Sequence, residues 1–169
     1  RFSTQDMSLD GADFMKTAVY AERDYQSSPI ELRWDYEAMV WLQDNVKGSP
    51  VVLEAHHDQY RWSSRIADYT GLPTVIGWPW HQIQQRMKYN GAVRERASHV
   101  REIYTTTDIK RALELLRQYE VEYVVIGQLE TVYYPLEGLK KFDEMVQAGW
   151  ARVVYSNEGT LIYRAQWYN

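Results

Sequence analysis

Short, nearly continuous apolar runs alternate along the chain with longer stretches in which apolar residues recur at helical spacing, a pattern that predicts strands alternating with helices. From Trp34, the residues Tyr36, Met39, Val40 and Gln43 fall at i, i+3, i+4 and i+7, and the run stops at Lys47-Gly48-Ser49-Pro50. Val51-Val52-Leu53-Glu54-Ala55 follows, and a short run this apolar is what a strand buried on both faces of a parallel sheet requires. Arg61 to Tyr69 reads as a helix closed by Gly71, after which Leu72-Pro73 leads into a second short strand, Thr74-Val75-Ile76. Beyond a Trp-rich loop, Val93, Ala97, Val100 and Tyr104 mark one face of a largely exposed helix.

The next helix has the strongest pattern: Thr107 or Asp108 can cap it, and Ile109, Ala112, Leu113 and Leu116 form its apolar face before Tyr119. Tyr123-Val124-Val125-Ile126-Gly127 is a third buried strand. A polar-aromatic loop and a helix opened by Pro135 and closed by Gly149 follow, with Leu139, Phe142 and Val146 facing the core. Arg152-Val153-Val154-Tyr155 and Thr160-Leu161-Ile162-Tyr163 flank Ser156-Asn157-Glu158-Gly159, a hairpin signal. Residues 1–30 carry little periodicity and read as a lead-in packed on the domain. Residues 31–169 read as one α/β domain, a three-layer Rossmann-like arrangement with a mostly parallel sheet and a C-terminal antiparallel hairpin at its edge.

Composition refines this picture in a few places. The 169 residues are 45% apolar and 25% charged, ordinary for one globular core, but seven Trp and fourteen Tyr are more than such a core needs. Part of that surplus is expected to face a partner, a glycan or a bilayer surface. The net charge of −4, with no basic run, gives no nucleic-acid footprint. With no cysteine, disulfides, zinc–thiolate sites and thiol nucleophiles are excluded. No apolar run reaches the roughly 20 residues of a spanning helix. The start at Arg1-Phe2-Ser3, without Met or a signal-peptide pattern, suggests an excised fragment.

Ligands of open parallel sheets bind beyond the carboxyl ends of the strands, so the residues just past each strand are the candidates. These are Glu54, His56, His57 and Asp58 after the first strand. Trp78, Trp80 and His81 follow the second, and Gln128, Glu130, Tyr133 and Tyr134 the third. Carboxylates, imidazoles and aromatic rings converging on one edge suit a sugar, although ordinary loop packing would use the same residues. Arg65 and Arg86 could fork onto phosphate or carboxylate, whereas Arg61 fits surface ion pairing better. The ligand-binding set expected is therefore Glu54, His56, Trp62, Arg65, Trp78, His81, Arg86, Glu130, Tyr133 and Tyr134, with no catalytic residue assigned.

Two other chemistries fit less well. A dinucleotide site needs glycines after the first strand, where the chain reads Glu54-Ala55-His56-His57-Asp58-Gln59, so no nucleotide cofactor is expected. The nucleophile-elbow pattern G-x-S-x-G is also absent, and Ser63-Ser64 has no base placed by sequence. A metal site from Glu54, His56 and His81 stays open as an alternative, weakened because adjacent side chains such as His56 and His57 point to opposite faces.

Several segments, taken in order, resemble the C-terminal region of the YYY family of polytopic membrane proteins of Chloroflexi and archaea. They are Leu9-Asp10-Gly11, the run from Gly48 to Ala55, Gly71-Leu72-Pro73-Thr74-Val75-Ile76-Gly77-Trp78 with His81 and Arg86, and Ile103-Tyr104-Thr105-Thr106-Thr107-Asp108. Tyr123 to Gly127 with Glu130 and Tyr134, and Gly159-Thr160-Leu161-Ile162-Tyr163, complete the match. The resemblance implies an extracytoplasmic domain at the cell membrane, attached to a membrane-embedded body of the same polypeptide that acts as a glycosyltransferase using lipid-linked sugar. The catalytic carboxylate would belong to that body, leaving this domain to bind glycan or lipid-phosphate sugar or to dock. Gln82 and Thr131 depart from the family pattern, which has an acidic residue and an arginine there. A purely structural interaction module is the remaining alternative.

Overall fold

A computed structural model describes residues 10–22, 29–57, 61–85 and 87–166. The expected lead-in forms a 3-10 turn at Asp13–Lys16 and a two-stranded antiparallel ribbon, β1 (Val19–Tyr20) with β2 (Ile30–Glu31). Helix α1 (Leu32–Asn45) follows directly. Its buried face is Leu32, Asp35, Ala38, Met39 and Leu42, so of the apolar face expected from sequence only Met39 is fully covered and Gln43 is exposed. The helix is rotated because Asp35, a polar residue that hydropathy counts as outward, is drawn inward by an arginine partner.

Strand β3 (Val51–Leu53) runs parallel to a later strand and is flanked on its other side by a single parallel bridge from Val52 to Thr74. The strand expected at Thr74–Ile76 is reduced to that bridge, secured by the Val52 N–H donating to the Pro73 carbonyl at 2.8 Å. Helix α2 (Arg65–Thr70) starts later than its periodicity suggests, because Ser64 before it takes a left-handed φ of 66°. It ends as expected at Gly71, whose φ of 73° suits a residue without Cβ. The Trp-rich segment is not a loop but a helix, α3 (Pro79–Gln85), opened by a proline whose missing N–H is no loss at that position. Helix α4 (Asn90–Thr105) and helix α5 (Ile109–Gln118) come next, and the Asp108 carboxylate caps α5 by accepting from Lys110 N at 2.9 Å and Arg111 N at 3.2 Å.

Strand β4 (Val121–Gly127) is followed at once by helix α6 (Gln128–Tyr133), where a loop was expected. Helix α7 (Leu136–Gln147) and the hairpin of β5 (Ala151–Ser156) and β6 (Thr160–Ala165) complete the described chain. The sheet order is β3-β4-β6-β5, parallel between β3 and β4 and antiparallel at the other two pairings. The fold is thus mixed α/β. Its four-stranded sheet is less parallel than expected, since the chain leaves β4, skips one position to lay down β5, and returns to fill the gap with β6. Tyr155 of β5 stacks on Trp41 of α1, with ring centroids 5.5 Å apart. On the opposite face Tyr163 of β6 packs on Phe142 of α7 at 5.8 Å and donates to Asp143 at 2.8 Å. Helices α1 and α7 therefore cover opposite faces of the hairpin.

Among the described residues, the core holds one cation with no carboxylate partner. Lys141 of α7 is 1% exposed, its Nζ donates to the Gly138 carbonyl, and it lies 4.4 Å from the Phe142 ring centroid. Burial lowers its pKa from 10.5 to about 7. The unfolded chain therefore binds the extra proton between pH 7 and 10.5, and Lys141 makes stability rise with pH across that window. Replacing Lys141 with methionine should flatten that rise and add on the order of 2 kcal/mol at pH 6. Urea midpoints of both proteins from pH 6 to 10 check it, and parallel curves would contradict it.

Candidate functional site

The carboxyl ends of β3 and β4 are stitched together by a charge cluster built on Arg65, the first residue of α2. Its guanidinium donates through Nε to Asp35 of α1 at 2.6 Å and forks onto Glu130 of α6 at 3.1 and 2.9 Å, with Glu54, just past β3, at 3.8 Å. The Arg65, Glu54 and Glu130 side chains are 0% exposed. Backbone amides complete the shell. Ala55 and Gly127 both donate to Glu130 at 2.8 Å, while Ile66 and Ala67 both donate to Glu54 at 2.9 Å. The Trp62 indole N–H donates to Asp35 at 2.9 Å. Four segments distant in sequence are thereby joined through one guanidinium.

Electrostatics separates the two glutamates. Burial pushes the Glu54 carboxyl up from 4.5 to about 7, against the pull of Arg65 and of its two backbone donors. Burial acts on Glu130 in the same direction, but its bidentate contact with Arg65 and its two amide donors outweigh it and hold the carboxyl low. For Arg65, burial opposes the charge and the surrounding carboxylates more than compensate, so its pKa is raised. Because the folded pKa of Glu54 lies above the unfolded one, the stability its proton confers is complete below pH 4.5 and is lost as pH rises through about 7. Glu130 has the opposite sign, losing its contribution as pH falls below its usual range. Denaturant unfolding should accordingly show greatest stability between about pH 4.5 and 5 and a loss on the order of 2–3 kcal/mol by pH 7. A flat profile across that interval would contradict the assignment of Glu54.

Several residues of the expected ligand-binding set are engaged with protein groups. Glu54, Arg65 and Glu130 were expected to face a ligand and instead face one another, because a guanidinium taken out of water needs anionic partners. His56 is also buried, its Nε2 2.7 Å from the Ala97 carbonyl, which makes Nε2 the protonated nitrogen. Tyr134 is buried as well, stacked on Tyr104 with centroids 4.6 Å apart. Tyr133 donates to Glu22 at 2.5 Å, which ties the N-terminal segment to α6, and Arg61 pairs with the same carboxylate at 3.1 Å. Trp62 sits among the rings of Phe14, Tyr20 and Tyr69. Arg86 and Asp58 lie outside the described residues. The metal alternative loses its basis in Glu54, both of whose oxygens accept backbone N–H groups, and no group of three or more His, Asp or Glu suited to a metal occurs among the described residues.

Trp78 and His81 stand apart from the cluster. The Trp78 indole donates to the Ser63 carbonyl at 3.0 Å, and His81 Nε2 lies 2.7 Å from Gln85 Nε2 on the same helix. Next to them, between α3 and α4, is a cleft of about 420 Å3 lined by Gln82, Tyr89, Ala92, Val93 and Arg96. Trp80 on α3 and Tyr89 are 55% and 63% exposed, which accounts for part of the aromatic surplus. A second cleft, of about 380 Å3, lies where Gly127 and Gln128 meet the hairpin turn. There Asn157 is committed internally: its amide donates to the Trp34 carbonyl and to Glu37, and its carbonyl accepts from Gly159 and Thr160.

Asp35 was missed from the sequence, although its place three residues after Leu32 and three before Ala38 puts it on the buried stripe of α1. Tyr89 and Arg96 carried no signal, since both stand among ordinary surface residues.

No protein-family model and no curated protein matches this sequence. Among solved structures, the chain is similar to the C-terminal globular domain of an oligosaccharyltransferase from Archaeoglobus fulgidus, at 13% identity and a TM-score of 0.49, over 78% of this chain and 96% of that one. A likeness at that level leaves the activity of this chain open. No helix among the described residues is long and apolar enough to cross a membrane.

Proposed function

We propose that the chain is a non-catalytic accessory domain of a membrane glycosyltransferase, held on the extracytoplasmic side by a membrane-embedded body of the same polypeptide, and that it contacts glycan through the cleft between α3 and α4. The observation that carries this reading is where the reactive side chains point. The carboxylates and guanidinium at the strand ends are sealed and bonded to protein, so they offer no acid, base or nucleophile to a substrate, whereas the cleft beside them exposes aromatic and polar groups. The segmental resemblance to the YYY family supports the membrane context. Helices on both faces of the hairpin support a three-layer, Rossmann-like arrangement.

The test is titration of the isotopically labelled domain with neutral oligosaccharides and polyprenyl-phosphate sugars, followed by amide chemical shifts. Shifts at Gln82, Tyr89 and Val93, with no hydrolysis or transfer, are expected. Absence of any shift in this region would remove the binding role, and turnover by the isolated domain would remove the non-catalytic one. The exposed side chains of Trp150 and Val153, beside and on the edge strand β5, favour a second role in docking on the membrane body.

A further inference from the structure

Arg96 on α4 is a positioned guanidinium that pairs with no carboxylate among the described residues. Two other arginines of α4 and α5 differ from it: Arg111 is shared by Glu102 and Glu114, and Arg94 Nε donates to Asn90. One arm of Arg96 donates to the Val75 carbonyl at 3.2 Å, and the centre of its guanidinium lies 5.5 Å from the Tyr119 ring centroid. Tyr119 is itself held, its hydroxyl 2.6 Å from His99 Nδ1. A carbonyl and a ring face restrict the side chain without neutralising its charge, and they leave most of its five N–H donors unused. Arg96 lines the α3/α4 cleft together with Gln82, Tyr89, Ala92 and Val93. With a volume of about 420 Å3, the cleft lies toward the lower end of the roughly 300–1,000 Å3 typical of small-molecule sites.

We infer that this cleft is a subsite for a sugar bearing one anionic group, a carboxylate or a phosphate. The anion forks onto Arg96, the sugar ring lies against Tyr89, and the Gln82 amide meets a hydroxyl. The inference rests on the glycan-binding role proposed above and adds the charge of the ligand. Arg96 is suited to this task because its orientation is already restrained, so little freedom is lost when the fork closes.

The experiment measures binding of glucuronate, glucose 1-phosphate, glucose and inorganic phosphate to the wild-type domain by amide shifts and calorimetry at low salt. Glucuronate or glucose 1-phosphate is expected to bind at least about tenfold more tightly than both glucose and inorganic phosphate. The amides of Gln82, Tyr89 and Val93 should respond, and the relative affinities of the two acidic sugars identify the anion. Arg96→Gln should remove the preference for the acidic sugars over glucose, with Arg96→Lys intermediate. Glucose binding as tightly as the acidic sugars would overturn the inference and leave the glycan-binding role standing. Inorganic phosphate matching glucose 1-phosphate, with glucuronate no tighter than glucose, would reduce the site to an anion contact and overturn the inference too. No binding of any of the four overturns it at this site. The glycan-binding role itself then falls only if longer oligosaccharides and lipid-linked sugars also leave the cleft unshifted.

Discussion

Replacing Arg65 with methionine should destabilise the domain at pH 7 by about 3–5 kcal/mol. The substitution keeps the length and most of the apolar stem but removes the only cation facing Asp35, Glu54 and Glu130 within the described cluster. Three carboxylates would then share one water-free volume. Breaking a buried ion pair by deleting one partner costs about 3–5 kcal/mol, a large part of the 5–15 kcal/mol that stabilises a typical domain. Acid should rescue the variant, because without the pull of Arg65 burial alone pushes the Glu54 and Glu130 carboxyls upward and favours their protonated forms. The measurement is the urea midpoint of both proteins from pH 4 to 8. The variant should gain more on acidification than the wild type, whose own gain comes from Glu54. Arg65→Lys should recover only part of the loss, since one ammonium cannot fork onto Glu130 and reach Asp35 as well. Adding Asp35→Asn and Glu130→Gln to Arg65→Met should restore stability at neutral pH. A wild-type midpoint for Arg65→Met at pH 7 would contradict the electrostatic account of the cluster.

Local chemistry explains which parts of this fold were legible in the sequence. Helix α5 lies where its apolar spacing and the Asp108 cap put it, and the left-handed Gly71 and Gly149 end α2 and α7 as expected. The hairpin turn was legible because Asn157 and Gly159 are turn residues, but not the seat of β6 beside β4, which depends on the register Val125↔Ile162 and is not encoded in either strand alone. Helices α3 and α6 were missed for a common reason. Each is short and mixes aromatic with polar residues without a clean period, so its start is fixed by tertiary contacts. At α6 those contacts are made by Glu130, which accepts from the Ala55 amide and pairs with Arg65.

The candidate site shows the same boundary between local and non-local information. Proximity of Glu54, Arg65 and Glu130 followed from their places at the strand ends, but their direction did not. Whether a charged residue at a sheet edge faces solvent or core depends on whether countercharges reach it. The deciding residue, Asp35, belongs to a helix whose phase was misread because of that same aspartate. A buried salt-bridge hub and a ligand site draw on the same residue types, and only the sealing of the hub by Trp62 and the backbone amides separates them here.

Gly138→Ala provides a test in which two physical effects have opposite signs. Gly138 lies inside α7, and in a helix interior alanine normally gains about 0.5–1 kcal/mol over glycine. Propensity alone therefore makes the substitution stabilising. At this position, however, a Cβ would stand 2.3 Å from the Tyr104 carbonyl oxygen and 2.7 Å from that of Thr105. Both are backbone atoms at the end of α4, so no side-chain rotation relieves the contact and the two helices must separate. Tyr104 cannot follow freely, since its hydroxyl donates to the Val125 carbonyl of β4 at 2.9 Å and its ring is stacked on Tyr134. Overpacking of this kind costs typically 1–3 kcal/mol, and a rigid obstacle puts the expected loss at about 3 kcal/mol, roughly 6–12 °C in Tm for a chain of this size. Gly91→Ala in α4 is the control, because its Cβ would meet nothing within 4 Å and propensity acts unopposed. Thermal melts of the two variants should move in opposite directions. A Gly138→Ala protein at least as stable as the wild type would mean that α4 and α7 do not cross at this distance. The stacked tyrosines beneath β4 would then need another explanation for their burial.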